Sequence, residues 1–298
     1  MQDKKQIYYN YFQEHILPVI QPIEAYRKKT LCKLVLFSSL FFIIGVIFAA
    51  LFIYNAINNI FNPLILPILL FLMYVYILKS IVAAIIVGKE YRKKLVKDVL
   101  PLFLPAVANF KPWPKNNDTE TVINSKLFSN FDTQEDVASF FGFYKDTNII
   151  ISDTRLTLPV KGAVKNNLFK GTTIQLEFSK SINNHLILIS KNERINNKYK
   201  RIKSGIQDFD RQMLMFAKNN NSSDILNKDL WNVIKRFAQT YTAKGFGISY
   251  RDNIVFIAIR QKNPMQFGFL FNSLLKAKNY DDLIERFIVI FDLIDLLV

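Results

Sequence analysis

The carboxylate pair best placed to do chemistry is Asp208 and Asp210, in the run "DFD". Paired acids can hold a Mg2+ ion or divide acid and base roles between them. More often such a pair brackets a buried Phe where a strand begins and stays exposed and solvated. The histidines, His15 and His185, fall in different regions, and neither belongs to an HExxH-like pair. With Cys32 as the single cysteine there is no Cys cluster, which argues against a transition-metal site and an intrachain disulfide. His185, at a strand start, reads as structural. "GFGISY" lacks the third glycine of a dinucleotide loop, "FKGTT" lacks the spacing of a P-loop, and "GISYR" has no glycine two places after its serine, as a nucleophile elbow requires. No cofactor is expected.

A second constellation is electrostatic. Lys191, Arg194, Lys198, Lys200, Arg201 and Lys203 crowd into one stretch whose only acid is Glu193. The whole chain of 298 residues carries a formal charge of +15, an excess that suits anionic surroundings. Part of that excess has the look of an AT-rich genome's codon bias, given the many Lys, Asn and Ile residues. Three readings of the stretch compete. It is a solvated hairpin turning at Asn196-Asn197, a contact with anionic lipid worth ~1 kcal/mol per Lys or Arg near the leaflet, or a contact with nucleic acid or an acidic protein. The solvated hairpin leads and lipid follows. Nucleic acid is disfavoured, because Tyr199 is the lone aromatic and no RNA- or DNA-binding motif accompanies it.

The elements that must position these residues begin with two apolar runs. Leu34–Tyr54 is 21 residues without a charge, ~30 Å of helix and about one bilayer thickness. It is too long, and begins too late in the chain, for a signal peptide. A second run covers 60–80, with Pro63 and Pro67 in its first turns and Lys79 at its end, near the interface. The loop 55–59 between them is short and uncharged. "RKKTLCK" precedes the first run and "KEYRKK" follows the second, so the positive-inside rule puts both termini in the cytoplasm. The expected fold is therefore an α+β cytoplasmic domain anchored by a two-helix transmembrane hairpin.

Residues 1–33 form an N-terminal amphipathic segment. Tyr8, Phe12, Ile16, Val19, Ile23 and Tyr26 recur at helical spacing, with Pro18 and Pro22 expected to kink or break the helix. The stripe either lies on the inner leaflet, with Arg27-Lys28-Lys29 near the headgroups, or packs on the protein's own domain. Residues 81–118 read as a membrane-exit helix followed by a linker, "NFKPWPKNND".

Residues 119–298 carry the α+β pattern. "TTIQLEF" alternates with period two, "SINN" reads as a turn and "HLILIS" as the next strand. "QMLMFA" is another strand, and "FGISY" pairs with "NIVFIAIR" around "RDN". Between these, Leu226, Leu230, Val233, Phe237 and Tyr241 lie on one helical face. A last helix places Leu283, Phe287, Ile290, Ile294 and Leu297 in stripe, with Asp292 and Asp295 arguing against a third span.

From about Tyr8 to the C-terminus the chain resembles bacterial two-span membrane proteins catalogued as a domain of unknown function and sometimes mislabelled galanin-like. The matching pieces are "FGFYKDTNIIISDTRLTL", "LFKGTTIQLEFSK" with "HLILIS", "FDRQMLMFAKN" and "NIVFIAIR". The resemblance implies a membrane anchor and a cytoplasmic α+β domain, and supplies no catalytic residues. The basic stretch looks more charged than the family's usual connection there.

The function expected from the sequence is a non-enzymatic, membrane-anchored scaffold or binding module. Its partners are membrane lipids, with an unidentified protein partner or a second copy of the chain also open. The alternative is an unrecognised enzyme acting on a membrane-proximal substrate.

Overall fold

The computed structural model describes residues 2–57, 74–75, 79, 88, 90–91, 95, 98–103, 109–111, 117–158, 167–193, 199–218, 226–261 and 273–298. Helix α1 covers Gln2–Tyr11, a π turn covers Phe12–Ile16, and α2 runs Leu17–Ile57 with Pro22 inside it. The wide π turn immediately before Pro18 shifts the helical register by part of a residue step. Tyr8, Phe12, Ile16, Ile20 and Ile23 are consequently buried, while Val19 and Tyr26 are exposed. The stripe thus packs on the protein's own core. Phe12 meets Phe103 at 6.2 Å and Tyr280 at 5.4 Å between ring centroids. Tyr91, Leu95, Val99 and Phe103, at steps of four and ending in helix α3 (Leu100–Phe103), are buried in the same cluster. Arg27 points inward too, held by the Glu24 carboxylate at 2.7 and 2.8 Å. Glu24 also accepts from the Leu274 backbone N–H at 3.0 Å.

The expected transmembrane hairpin is corrected. Leu34–Tyr54 is not a separate span but the C-terminal half of α2, a helix of 41 residues rooted in the domain core. Of the second run, 60–80, only Tyr74, Val75 and Lys79 are among the described residues, as is the 55–57 part of the loop before it. Among the described residues no helix is long and apolar enough to cross a membrane. The fold of the described residues is α+β, with no transmembrane hairpin among them. Val35, Leu36, Ile43, Val46, Ile47, Leu51 and Ile53 on α2 are each more than half exposed.

The sheet is antiparallel throughout. Its strands are β1 (Asn109–Lys111), β2 (Thr133–Tyr144), β3 (Thr147–Thr157), β4 (Asn167–Ser190), β5 (Lys200–Ile202), β6 (Met213–Ala217) and β7 (Gly245–Arg260), in the order β1-β2-β3-β4-β6-β5 with β7 on β4. The expected linker therefore contributes an edge strand. Lys145 and Asp146, with φ of 45° and 60°, form the two-residue turn between β2 and β3, a conformation that matches strand twist.

β4 and β7 each fold back on themselves. Straight, 24 residues of β4 would extend ~80 Å, yet Arg260 bonds both the carbonyl of Leu168, at the start of β4, and Glu193, just past its end. The ends of β7 meet as well: the Lys244 N–H donates to the Arg260 carbonyl at 2.9 Å. Residues 254–260 of β7 pair with 171–177 of β4, and 247–250 with 186–189. The arms of β7 are thus inserted between the arms of β4, with both bends at one end, where Ile182 faces Asp252 (φ 53°). The expected turns at "SINN" and "RDN" coincide with these bends, but the two arms of β4 are not neighbours.

One sheet face carries Ile149, Ile151, Ile174, Leu176, Leu188 and Ile257 in the main core, under the N-terminal helices and helices α6 (Lys228–Thr240) and α7 (Asp281–Leu297). The other carries Leu156, Phe169, Ile187, Ile189 and Phe256 under Val122 of helix α4 (Thr119–Asn124). On α6, Leu226, Leu230, Phe237 and Tyr241 are buried as expected, and Asn227 caps the helix by accepting from the Leu230 N–H at 2.8 Å. The acids of α7 are neutralised from three directions. Lys4 bonds Asp292 and Asp295, both at 2.7 Å, Arg236 bonds Asp292 and Glu285, and Lys145 bonds Asp295.

Candidate functional site

The basic stretch leaves the sheet at the end of β4 and returns as β5. Its first pin is Glu193, the lone acid the sequence set among six cations. Arg260 donates to it from Nε at 2.7 Å and from Nη2 at 3.1 Å, while Nη1 donates to the Leu168 carbonyl at 2.9 Å. Such paired, charge-assisted bonds fix geometry as well as energy. Gly245 makes room for this pair: a Cβ there would stand 1.7 Å from the Glu193 carboxylate. Asn192 adds a bond from Nδ2 to the Lys244 carbonyl.

The second pin is Tyr199. Its hydroxyl shares a 2.8 Å hydrogen bond with His185 Nδ1, and His185 Nε2 shares one of 2.9 Å with Ser249 Oγ. The rings of Tyr199 and His185 also meet edge to face at 4.9 Å. Burial, aided by the nearby Arg251 charge, pushes the His185 pKa down to about 4, so the imidazole is neutral at pH 7. The sequence reading of His185 as structural describes what it touches.

Between and beyond these pins stand the cations. Lys191, Lys200, Arg201 and Lys203 are exposed. Among the described residues none of the four forms an ion pair, in contrast to Lys4, Lys145, Lys235, Arg236 and Arg260. Arg194 and Lys198 lie outside the described residues. β5 pairs with β6 from Lys200↔Ala217 to Ile202↔Met215. As the last strand in its order it leaves Lys200 and Arg201 on the sheet's edge while Ile202 packs against the core. A short, charged edge strand of this kind resists pairing with other strands.

The structure separates the two carboxylates singled out in the sequence. Both lie on helix α5 (Gln207–Gln212), bracketing the fully buried Phe209. Asp208 accepts from Gln212 Nε2 at 2.9 Å, Trp231 Nε1 at 3.0 Å and Lys235 Nζ at 3.0 Å, and these donors, Lys235 first, hold its pKa below the usual carboxylate range. Asp210 turns the other way, accepting from the Ser204 N–H and hydroxyl at 3.2 and 3.0 Å to brace the turn before the helix. Each acid already serves a local bond. Among the described residues no three His, Cys, Asp or Glu side chains converge on a metal-binding position.

The features that sequence reasoning missed are the pins. Arg260 and Gly245 lie more than fifty positions from Glu193, and no local pattern joins them to it. The one available signal was Glu193 itself, an acid kept inside a run of cations.

No curated protein matches the chain. A solved structure, that of the mycobacterial trehalose monomycolate transport factor A, is similar over 69% of this chain and 92% of that one, at 11% identity and a TM-score of 0.36. A likeness of that degree carries no argument about this chain. Residues 167–298, from the start of β4 to the C-terminus, match the family described as "Protein of unknown function (DUF3137)".

Proposed function

We propose that this protein is a binding module that works at an anionic membrane surface, with the pinned basic segment as its headgroup contact. The observation that carries the reading is the contrast between the cations. Lys191, Lys200, Arg201 and Lys203 are exposed and have no ion pair among the described residues, while Arg260–Glu193 and Tyr199–His185 hold the segment's two ends to the sheet. A pinned segment loses less freedom on contact than a floppy one, so more of the attraction, ~1 kcal/mol per cation near an anionic leaflet, is retained. Two further features support a lipid partner: the exposed apolar side chains of α2, and the exposed Lys28, Lys29 and Lys33 just before them. We further propose a position at the cytoplasmic face of a bacterial inner membrane; Lys4 ties α1 to α7, which keeps the two terminal helices together.

The test is lysine footprinting of the full chain with vesicles, using an acetylating reagent and mass spectrometry. Lys191, Lys200 and Lys203 are expected to lose reactivity with anionic vesicles and to keep it with zwitterionic ones, while Lys228, exposed in the first turn of α6, is unchanged by either. Equal reactivity of the three with both vesicle types would refute the reading.

A further inference from the structure

Between α6 and the adjoining ends of β6 and β7 lies a groove of about 240 Å3. Its floor is apolar, built from Met213, Trp231, Ile234 and Phe246, and its rim carries Lys235 and Lys244. Lys191 stands beside it, since its N–H donates to the carbonyl of Gln212 in the groove wall. Two acids adjoin it: Glu193, paired with Arg260 and so near the lining residue Gly245 that a Cβ there would stand 1.7 Å from its carboxylate, and Asp208, bonded to Lys235 and Trp231. Lys244 is exposed and has no ion pair among the described residues. Apolar side chains share the lining with Ser190, Asn192, Gln212 and Gln239, and the adjacent Lys191 is likewise a cation without an ion pair among the described residues.

We infer that this groove binds a single anionic amphiphile, an acidic head at the Lys235–Lys244 rim with a short aliphatic tail over Trp231. Pockets of this sort bind through an apolar lining and orient their ligand through a few placed polar groups. Lys235 Nζ and Trp231 Nε1 are engaged by Asp208 at 3.0 Å each, so the acidic head falls chiefly to Lys244, which has no ion pair among the described residues. This site uses different residues from the basic segment and goes beyond the surface contact proposed above.

Trp231 is its own reporter. The chain has two tryptophans, so a Trp113→Phe background leaves Trp231 as the sole indole. The experiment titrates the full chain with octanoate, octan-1-ol and octylamine, and reads the Trp231 emission. A saturable shift with octanoate is expected, at least about tenfold weaker with either control ligand and about tenfold weaker in a Lys235→Gln/Lys244→Gln variant. Ala238→Phe, which fills the groove, is expected to abolish the shift with the circular dichroism unchanged. A Lys200→Ser/Arg201→Ser variant is expected to titrate as the parent does, which separates this site's failure from that of the lipid-surface reading. No saturable shift, a shift that survives Ala238→Phe, or equal binding of octylamine would each overturn the inference.

Discussion

Arg260 and Glu193, 67 positions apart, are locked side by side at 2.7 and 3.1 Å, across a glycine that leaves the carboxylate room. Through this pair the last residue of β7 fixes the point at which the basic segment departs from β4. Both side chains are partly exposed, at 35% and 22%, so solvent screens the pair and it is worth less than a buried one. Glu193→Ala and Arg260→Ala are each expected to lower stability by about 1–2 kcal/mol, with a coupling of about 1 kcal/mol in the double-mutant cycle. Chemical denaturation measures this, and additive single losses would remove the pin from the account.

Gly171 lies where β4 and β7 press together, and a Cβ there would stand 1.9 Å from the Ile259 carbonyl oxygen. The obstacle is backbone, which cannot swing aside as a side chain does. Gly171→Ala is expected to cost more than about 2 kcal/mol. Gly45→Ala, with nothing within 4 Å among the described residues, is the control expected to leave stability unchanged or slightly raised. Equal denaturation midpoints for the two variants would contradict the observed contact between β4 and β7.

Two buried titrations oppose each other. His185 has its folded pKa lowered to about 4, so below pH 6.5 the unfolded chain binds the extra proton and stability falls as pH drops. Asp153, raised to about 6 chiefly by burial, works in reverse: its folded carboxyl binds the extra proton, and stability is lost as pH rises through 6. Between pH 7 and pH 5 the histidine alone would remove about 2 kcal/mol and the aspartate alone return about 1 kcal/mol. Asp153→Asn should therefore make the chain lose stability steeply over that interval, and His185→Gln should make it gain. Parallel pH profiles for the two variants would show that neither group titrates as described.

One face of the N-terminal helices, from Tyr8 to Ile23, belongs to the folded core. Tyr8, Phe12 and Ile16 are fully buried against Phe103, Tyr280 and the helices of the domain. Phe12→Ala is expected to cost about 3–5 kcal/mol, and a fragment beginning at Leu95 should fail to fold. Well-dispersed amide resonances from that fragment would contradict the packing.

Much of this was legible in the sequence because it is periodic. The face of α6 from Leu226 to Tyr241, the stripe of α7 and the alternation in β4 follow from spacing alone, and the bends at "SINN" and "RDN" follow from turn residues. Long-range choices were not legible. A stripe such as Tyr8–Phe12–Ile16 suits a leaflet as well as a protein core, and only the buried ring contacts with Phe103 and Tyr280 decide it. The uncharged run Leu34–Tyr54 reads as a self-contained span because hydropathy is counted locally. It is in fact continuous with the helix that begins at Leu17. The insertion of β7 between the arms of β4 depends on pairings some seventy residues apart, which local alternation cannot encode. Asp208 and Asp210 looked like a chemical pair because they are close in sequence, and one helical turn was enough to send them to Trp231 and Ser204.

The most direct test of the central claim is the partition of the full chain between zwitterionic and anionic vesicles across a salt series, beside a variant with Lys191, Lys200, Arg201 and Lys203 changed to Ser. The account predicts a preference for anionic vesicles that weakens as salt rises and is lost in the variant, while binding to zwitterionic vesicles is equal in both. A variant that keeps the full salt-sensitive preference would contradict it and leave the segment a solvated edge of the sheet.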